Sequence, residues 1–476
     1  MRTKGIVVAG LGGGSGKSVV SVGLTAAWAK AGRIVAPFKK GPDYIDAGWL
    51  HCAAGRACHN LDPYLVPRDL VLASFQQRCA AAELALVEGN RGLYDGVNAD
   101  GGYSTAELAL LLDMPVLLVV DCTKTTRTVA ALVLGCKVFD QRLKIGGVVL
   151  NRVATERQRR LITEAVEGST GVPVLGSVPR LDRDIFPMRH LGMVPYQEYD
   201  GTVQALDFLA RTVGESVDLG RVEAAMEPVT SVAGGEQRDL LQVPSVRDVR
   251  IGVLQDAAFQ FYYPENLQAL QRCGAELVPI NALTDACLPP LDGLYIGGGF
   301  PETSAAELAQ NSRFRHSVRA AAKSGLPIYA ECGGLIYLGR SIVLEGEEYP
   351  LVGLFPVRFG MSTKPQAHGY SIFRVEGENP VYPVGTEVRG HEFRYSTVLD
   401  WQGDPSSLVL RMERGTGFLG RRDGLVANNV LALYTHVHAE GTPQWAEGFV
   451  NRCRSRRYGA DPAVPGKSGT GPSVGG

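Results

Sequence analysis

The sequence predicts an α/β protein with two sheet-based units in one chain. Three observations carry that reading. Short apolar runs alternate with helical stretches through residues 5–180, a glycine-rich loop joins the first strand to the first helix, and a second alternation begins at Val249 and delivers a Cys onto a sharp strand-to-helix turn. A chain of 476 residues also exceeds what one ordinary core covers, so roughly two to three domains are expected.

The apolar runs of the first half are GIVVAGL, IVAPF, LALVEGN, PVLLVVDC, IGGVVLNRV and VPVLGSVPR. Continuous hydrophobicity of this kind suits parallel strands buried on both faces by helices. The first run enters Gly10-Leu11-Gly12-Gly13-Gly14-Ser15-Gly16-Lys17-Ser18, with a helical pattern behind it. That is the context a phosphate-binding loop requires. Glycines turn backbone N–H groups inward, the helix N-terminus adds its positive end, Lys17 neutralises the outer phosphates and Ser18 is placed to hold Mg²⁺. The strict spacing asks for Gly where Leu11 stands; the glycine comes one residue earlier, at Gly10. The expected nucleotide contacts are therefore Gly12, Gly13, Gly14, Ser15, Gly16, Lys17 and Ser18. Asn151, at the end of a later strand, is placed to read an adenine edge, though a simple strand-end amide fits the same position.

Two acidic segments follow at strand ends, one running from Lys39 and Lys40 through Asp43 and Tyr44 to Asp46, the other from Glu88 through Arg91 and Tyr94 to Asp95 and Gly96. Carboxylates close to a triphosphate are natural Mg²⁺ ligands, because that ion keeps most of its waters and takes one or two protein oxygens. Lys39, Lys40, Arg91, Lys124, Arg127 and Arg180 also fall at or near strand ends. Solvated surface charge explains any one of them; together they suggest a polyanionic ligand besides the nucleotide.

From 213 to 247 the apolar periodicity fades, which reads as a linker with a helix at its start. The second unit spans 248–455 and opens with the strand VRIGVLQD, a helical stretch at 264–273, the strands ELVPI and DGLYIGGGF, and a long helix through Lys323. Then comes IYAECGGLIYL, in which Cys332 ends an apolar run and precedes two glycines. A nucleophile on a sharp turn beside exposed backbone N–H groups has this pattern, although a Cys in such a setting is equally a small core residue. The glycine turn at 297–302 offers the Gly298 and Gly299 amides to one side of an oxyanion hole, and Gly333 offers the other.

A Cys nucleophile needs a base, since a free thiol of pKa about 8.5 is only slightly ionised at neutral pH. His316, His368, His391, His436 and His438 are the candidates. His436 and His438 end the apolar strand of LALYTHVHAEGTP, and alternation puts both on one side, so spacing does not choose between them. The segment 456–476, rich in Gly, Pro and Ser, is expected to be a disordered tail.

Lys plus Arg number 48 against 49 for Asp plus Glu, so no global field recruits nucleic acid or an anionic membrane, and neither is expected as a partner. Nine Cys without a CxxC pair, and no signal peptide, point to a reduced cytoplasmic enzyme. The longest apolar runs, such as 114–120, fall well short of the ~20 residues a membrane helix needs.

In order along the chain, the phosphate loop, KKGPDYID, GRACHNLD, EGNRGLYDG, VVLNRV, FQFYYPENL, YIGGGFPE, AECGGLIYL, HGYSIF, GHEFRYS and YTHVHAEGTP resemble the cobyrinic acid a,c-diamide synthase family. The likeness runs over residues 5–453, and it is specific because two unrelated kinds of site occur in the right order. It implies an ATP-dependent, dethiobiotin-synthetase-like P-loop domain over 1–212 and a class I glutamine amidotransferase-like domain of the cobyric acid synthase type over 248–455. ATP and Mg²⁺ are the implied cofactors, L-glutamine the nitrogen donor, and an anionic tetrapyrrole the substrate, amidated on its a and c acetate carboxylates. The resemblance leaves room for a homodimer.

Residue by residue, the resemblance makes Cys332 the nucleophile on glutamine and His436 its base. It gives Ser18, Asp43 and Glu88 to the metal, and Lys40, Asp43, Tyr44, Asp46, Arg91, Tyr94 and Asp95 to the substrate or acyl-phosphate site. Two features depart from the pattern. Arg394 stands where relatives more often carry His, which leaves the macrocycle open, and the loop reads GGGSGKS where a VGKT ending is usual. An acidic residue commonly lies two positions after the His in class I amidotransferases; His438 occupies that position, so a Cys-His dyad is expected.

Related enzymes amidate sirohaem or nickel-sirohydrochlorin, and these remain alternatives to cobyrinic acid. A positioning ATPase of the ParA kind would share the P-loop, but it wants a Lys where Leu11 stands and leaves Cys332 unexplained. A stand-alone Cys hydrolase leaves the P-loop unexplained.

Overall fold

The computed structural model describes residues 2–181, 188–189, 192–230 and 239–459. It divides into two compact units, Met1–Gln242 with Phe261–Gln268, and Val243–Gln260 with Ala269–Gly476.

The first unit is built on seven parallel strands, β1 (Lys4–Gly10), β2 (Val35–Lys40), β3 (His59–Leu61), β4 (Leu84–Glu88), β5 (Val116–Asp121), β6 (Ile145–Val153) and β7 (Val174–Pro179), in the order β3-β2-β4-β1-β5-β6-β7. The six apolar runs correspond to six of these strands, while the three-residue β3 is too short to leave a pattern. Ile6, Val8, Leu86, Leu117, Val119 and Val149 are fully buried in one core. Parallel pairing brings every carboxyl-terminal strand end to the same edge, where an open α/β sheet binds ligands. That edge carries the glycine loop after β1, Lys39 and Lys40 on β2, Glu88 on β4 and Asn151 on β6.

The expected linker is folded for much of its length. Helix Thr202–Ser216 and helix Leu219–Ala225 bury Val213 and Val222 in the first core, and Glu227–Pro228 pairs antiparallel with the start of β1. The periodicity fades there because the second helix is short, not because the chain leaves the domain. Residues 231–238 of the expected linker lie outside the described residues. A second difference concerns Phe261–Gln268, which falls in the second half of the sequence and belongs to the first unit.

The second unit has a ten-stranded sheet whose parallel part runs Ala275–Ile280, Val249–Leu254, Gly293–Ile296, Ile328–Glu331, Val430–Leu433. It continues antiparallel through Arg422–Ala427, Leu408–Arg414, Ala367–Val375, Glu387–Arg394 and His436–Val437. A four-stranded sheet holding Ser341–Leu344 and Val357–Met361 packs its buried Ile342, Val357 and Phe359 into the same core. The last helix, Pro443–Tyr458, overruns the start of the expected tail, because Arg456 and Arg457 bind the Leu291 carbonyl and the Asp292 carboxylate. Residues 460–476 lie outside the described residues.

Candidate functional site

The glycine loop turns tightly into helix α1 (Lys17–Lys30) through Gly16, whose φ of 94° favours glycine. Lys17 folds back so that Nζ donates to the Gly12 carbonyl at 3.1 Å. Burial lowers its pKa first, and the neighbouring Lys39 ammonium adds to this, against the opposing pull of Glu88, Asp46 and Asp95. Asn151, expected at an adenine edge or as a strand-end amide, reaches the phosphate loop. Its Nδ2 donates to the Ser15 carbonyl at 2.9 Å, and a Cβ on Gly16 would stand 1.9 Å from that nitrogen, so the amide braces the loop.

Beside the loop, Ser18 Oγ donates to Glu88 Oε1 at 2.8 Å and stands 3.4 Å from Asp46 Oδ1. Lys39, expected among the substrate cations, is buried, with Nζ 2.5 Å from Asp46 and 3.1 Å from Glu88. Burial works against its ammonium, but the carboxylates of Asp46, Glu88 and Asp43 outweigh it and hold the pKa above the ordinary lysine value. Glu88 is pushed up to about 7 by burial, with Lys39 opposing. Asp43 is pushed up to about 6 by burial and then by Asp46.

Within the expected metal set, Ser18 and Glu88 stand together and Asp46 lies beside them. Asp43 Oδ1 accepts from the Asp46 N–H at 2.9 Å just ahead of helix α2 (Ile45–Ala54). Among the described residues no group of three or more His, Cys, Asp and Glu side chains could hold a metal ion. Two carboxylates and a hydroxyl nonetheless form a hard oxygen set, and Glu88 Oε2 is buried without a hydrogen-bond partner, an atom that a hydrated Mg²⁺ would satisfy.

The remaining expected residues divide. Gly92 N–H donates to Asp95 Oδ2 and Leu93 N–H to the Gly10 carbonyl, so the 91–95 turn is tied to the phosphate loop with Arg91 and Asp95 exposed. Tyr94 points away, because its hydroxyl donates to the Cys136 carbonyl at 2.6 Å and its ring packs on Phe139. Tyr44 is stacked on Phe261 at 5.1 Å and tilted against Tyr263 at 4.5 Å. Lys40 is buried, which lowers its pKa, with Asp62 opposing. Arg91, Lys124, Arg127 and Arg180 are exposed.

In the second unit Cys332 ends strand Ile328–Glu331 and opens helix Gly333–Leu338 with φ 46° and ψ −97°. A side chain held at positive φ is strained, and strain of this kind lifts a nucleophile clear of its strand. The Gly333 N–H begins the helix and so has no acceptor within it. A Cβ on Gly333 would lie 3.0 Å from the Gly299 nitrogen, so these two backbones adjoin as an oxyanion hole requires. Gly298 adjoins the base: a Cβ there would stand 2.4 Å from His436 Cε1, and its carbonyl accepts from Gln260 N–H.

Three of the candidate histidines gather here and the structure separates them. His436 is hydrogen-bonded to the Cys332 side chain. Burial depresses its pKa, but the hydrogen bonds and charges of Cys332 and Glu331 outweigh this and raise it to about 10. His438 Nδ1 accepts from Glu440 N–H, turned to its own loop. His391 stacks on His436 at 4.9 Å, and burial together with the charges of His436 and His438 keeps it neutral. His316 and His368 are exposed.

Sequence reasoning missed Glu331. It is fully buried, its Oε2 lies 3.2 Å from His436 Nδ1, its Oε1 accepts from Val437 N–H at 3.3 Å, and the Tyr295 hydroxyl donates to Oε2 at 3.5 Å. The expected dyad therefore has a carboxylate, supplied from the position before the Cys and not from two positions after the His. Only its adjacency to Cys332 could have pointed to it. Arg394, where relatives more often carry His, is held within the second unit. Its guanidinium is buried 3.8 Å above the Tyr434 ring and donates to the Ser396 and Gly417 carbonyls.

Comparison with known proteins accords with both halves. Residues 6–191 match the family described as the CobQ/CobB/MinD/ParA nucleotide binding domain, and residues 250–444 the CobB/CobQ-like glutamine amidotransferase domain. The cobyrinate a,c-diamide synthase of Magnetococcus marinus is 42% identical over 93% of this chain and 95% of its own length. That of Archaeoglobus fulgidus is 40% identical over 95% and 98%, and that of Dehalococcoides mccartyi strain CBDB1 38% over 94% and 97%. Among the described residues no helix is long and apolar enough to cross a membrane. With two family matches in tandem and relatives of this identity over nearly the whole chain, the protein belongs to the cobyrinate a,c-diamide synthase family, glutamine-dependent amidating ligases that carry a nucleotide-binding domain.

Proposed function

We propose that the chain amidates the a and c acetate carboxylates of cobyrinate, using ATP to activate each carboxylate and glutamine to supply the nitrogen. The observation that carries this reading is Cys332, held at positive φ and hydrogen-bonded to His436, with the Gly299 and Gly333 backbones adjoining beside it. A carboxylate is a poor electrophile until one of its oxygens becomes a leaving group. Transfer of the ATP γ-phosphoryl to that oxygen gives an acyl phosphate and ADP; ammonia then attacks the acyl carbon and inorganic phosphate leaves.

Lys17 and the loop amides position the phosphates, and Ser18, Asp46 and Glu88 are the residues that would hold Mg²⁺. When bound, that ion neutralises phosphate charge and orients the γ-phosphoryl. In the second unit the Cys332 sulfur attacks the glutamine side-chain carbonyl. His436 moves the proton from sulfur to the departing nitrogen, and the Gly299 and Gly333 N–H groups stabilise the oxyanion, each donor being worth about 3 kcal/mol. Water then hydrolyses the thioester to glutamate.

Two experiments test this. Cys332→Ala should abolish glutamine-supported amidation and retain ammonia-supported amidation; loss of both would sink the division of labour. Purified enzyme offered cobyrinate, sirohaem or nickel-sirohydrochlorin with ATP, Mg²⁺ and glutamine should convert two carboxylates of cobyrinate to amides, counted by mass spectrometry. Conversion of none of the three would overturn the tetrapyrrole assignment.

A further inference from the structure

The class I arrangement expects an acidic residue on the strand that carries the histidine, and this chain has His438 there. We infer that Glu331, the residue immediately before the nucleophile, is the positioning carboxylate of the glutamine-hydrolysing site, fixing the ring orientation and tautomer of His436. This rests on the reading of Cys332 and His436 as nucleophile and base.

Three observations support it. Strand Ile328–Glu331 alternates its side chains, so Glu331 shares a face with Tyr329, among the buried aromatics Tyr295 and Trp445. The carboxylate reaches His436 Nδ1 from that face at 3.2 Å, and the same ring is hydrogen-bonded to the Cys332 side chain. The carboxylate is itself held, since Val437 N–H and the Tyr295 hydroxyl both donate to it and leave it little freedom to turn. Cys332 escapes the alternation through its positive φ. One strand end thus serves both sides of the imidazole, the sulfur beyond the turn and the carboxylate before it.

The other ionisable groups around the imidazole do not substitute. His391 is stacked on the ring face and His438 is turned to the Glu440 amide, and neither carries a negative charge. The Tyr295 hydroxyl donates to Glu331 itself, and burial holds the Tyr329 hydroxyl well above its ordinary pKa, so it stays neutral.

The test uses the full-length enzyme with Glu331→Gln and Glu331→Asp. Three readouts are compared: glutamate release, the pH profile of Cys332 alkylation by iodoacetamide, and ammonia-supported amidation. Glu331→Gln should lower kcat for glutamine hydrolysis on the order of 10²–10⁴-fold, as loss of an orienting carboxylate does elsewhere, with KM for glutamine changed less than about threefold. It should also move the alkylation midpoint up by about one pH unit or more, because the imidazolium loses its counter-charge. Glu331→Asp should recover part of the rate.

Near-native hydrolysis and an unmoved alkylation profile in Glu331→Gln would overturn the inference. Loss of ammonia-supported amidation in both variants would overturn it in favour of a structural carboxylate. The parent reading fails separately, if Cys332→Ala still hydrolyses glutamine.

Discussion

Asn151 Nδ2 donates to the Ser15 carbonyl across the mouth of the phosphate loop at 2.9 Å. A strand end 136 residues away in sequence thereby holds the loop conformation. Asn151→Ala removes the donor and opens space against Gly16, on which the Asn151 side-chain amide now packs closely. The loop loses preorganisation, so KM for ATP should rise about 3- to 10-fold, in keeping with one hydrogen bond of about 1 kcal/mol. KM for glutamine should stay native; steady-state kinetics with each substrate varied in turn checks both.

Lys39 is the counter-charge of the acid cluster, and Lys39→Met would leave Asp46 and Glu88 facing each other. Breaking a buried pair from one side costs about 3–5 kcal/mol. Here the loss should be nearer about 2–3 kcal/mol, because Glu88, already pushed up to about 7, takes up a proton when the ammonium is gone. Urea unfolding should show that decrease, and amidation should fall with either nitrogen source.

These two residues also show where the sequence was legible and where it was not. The phosphate loop and the Cys turn were readable because glycine spacing and an apolar run constrain the local backbone, whatever lies around them. Asn151 and Lys39 were placed at the correct strand ends, but their partners arrive through sheet order, which no local pattern records. That Asp43 Oδ1 binds the Asp46 N–H while Asp46 faces Lys39 was not legible, because it depends on where helix α2 starts. Glu331 escaped notice because the expected carboxylate was sought on the histidine strand, and pairing of Glu331 with Leu433 in the neighbouring strand brings it to His436 from the other side.

Arg394 tests whether its departure from the family pattern concerns substrate choice. The guanidinium is buried over Tyr434 and bound to two backbone carbonyls. Arg394→Ala should therefore lower stability by about 3 kcal/mol, from two charged hydrogen bonds and the ring contact. The order of preference among cobyrinate, sirohaem and nickel-sirohydrochlorin should not change. A variant as stable as the parent, with an altered preference in a competition assay, would give Arg394 a part in substrate choice.

Asp423 makes stability depend on pH. It accepts from Tyr434 and Thr435 N–H, yet burial, with the Glu392 charge behind it, pushes its carboxyl up from 3.8 to about 7. A folded-state pKa above the unfolded one means that the native protein binds the proton more tightly. The contribution is therefore complete below about pH 4 and is lost as pH rises through 7, up to about 4 kcal/mol in all. Asp423→Asn keeps an acceptor for the two amides and cannot ionise. Its denaturation midpoint should change less between pH 4 and 8 than that of the parent.

Gly298 lies against the base, and the space there belongs to His436. A methyl group at this position would stand 2.4 Å from His436 Cε1. Any retreat of the ring breaks the contacts that align it, because Glu331 holds Nδ1 at 3.2 Å and His391 stacks on its face at 4.9 Å. Gly298 does not have a positive φ, so alanine is sterically allowed by the backbone and the turn should form. The displacement then falls on the imidazole, and a shift of about 1 Å in a catalytic group costs on the order of 10²-fold in rate. Gly298→Ala should lower kcat for glutamate release by about that factor, with thermal stability close to native. Gly299→Ala provides the contrast, because φ is 154° there and the new Cβ would meet the Ala258 carbonyl oxygen at 2.1 Å. That variant should lose both stability and glutamine hydrolysis, and thermal denaturation run beside the kinetics separates a displaced base from a broken turn.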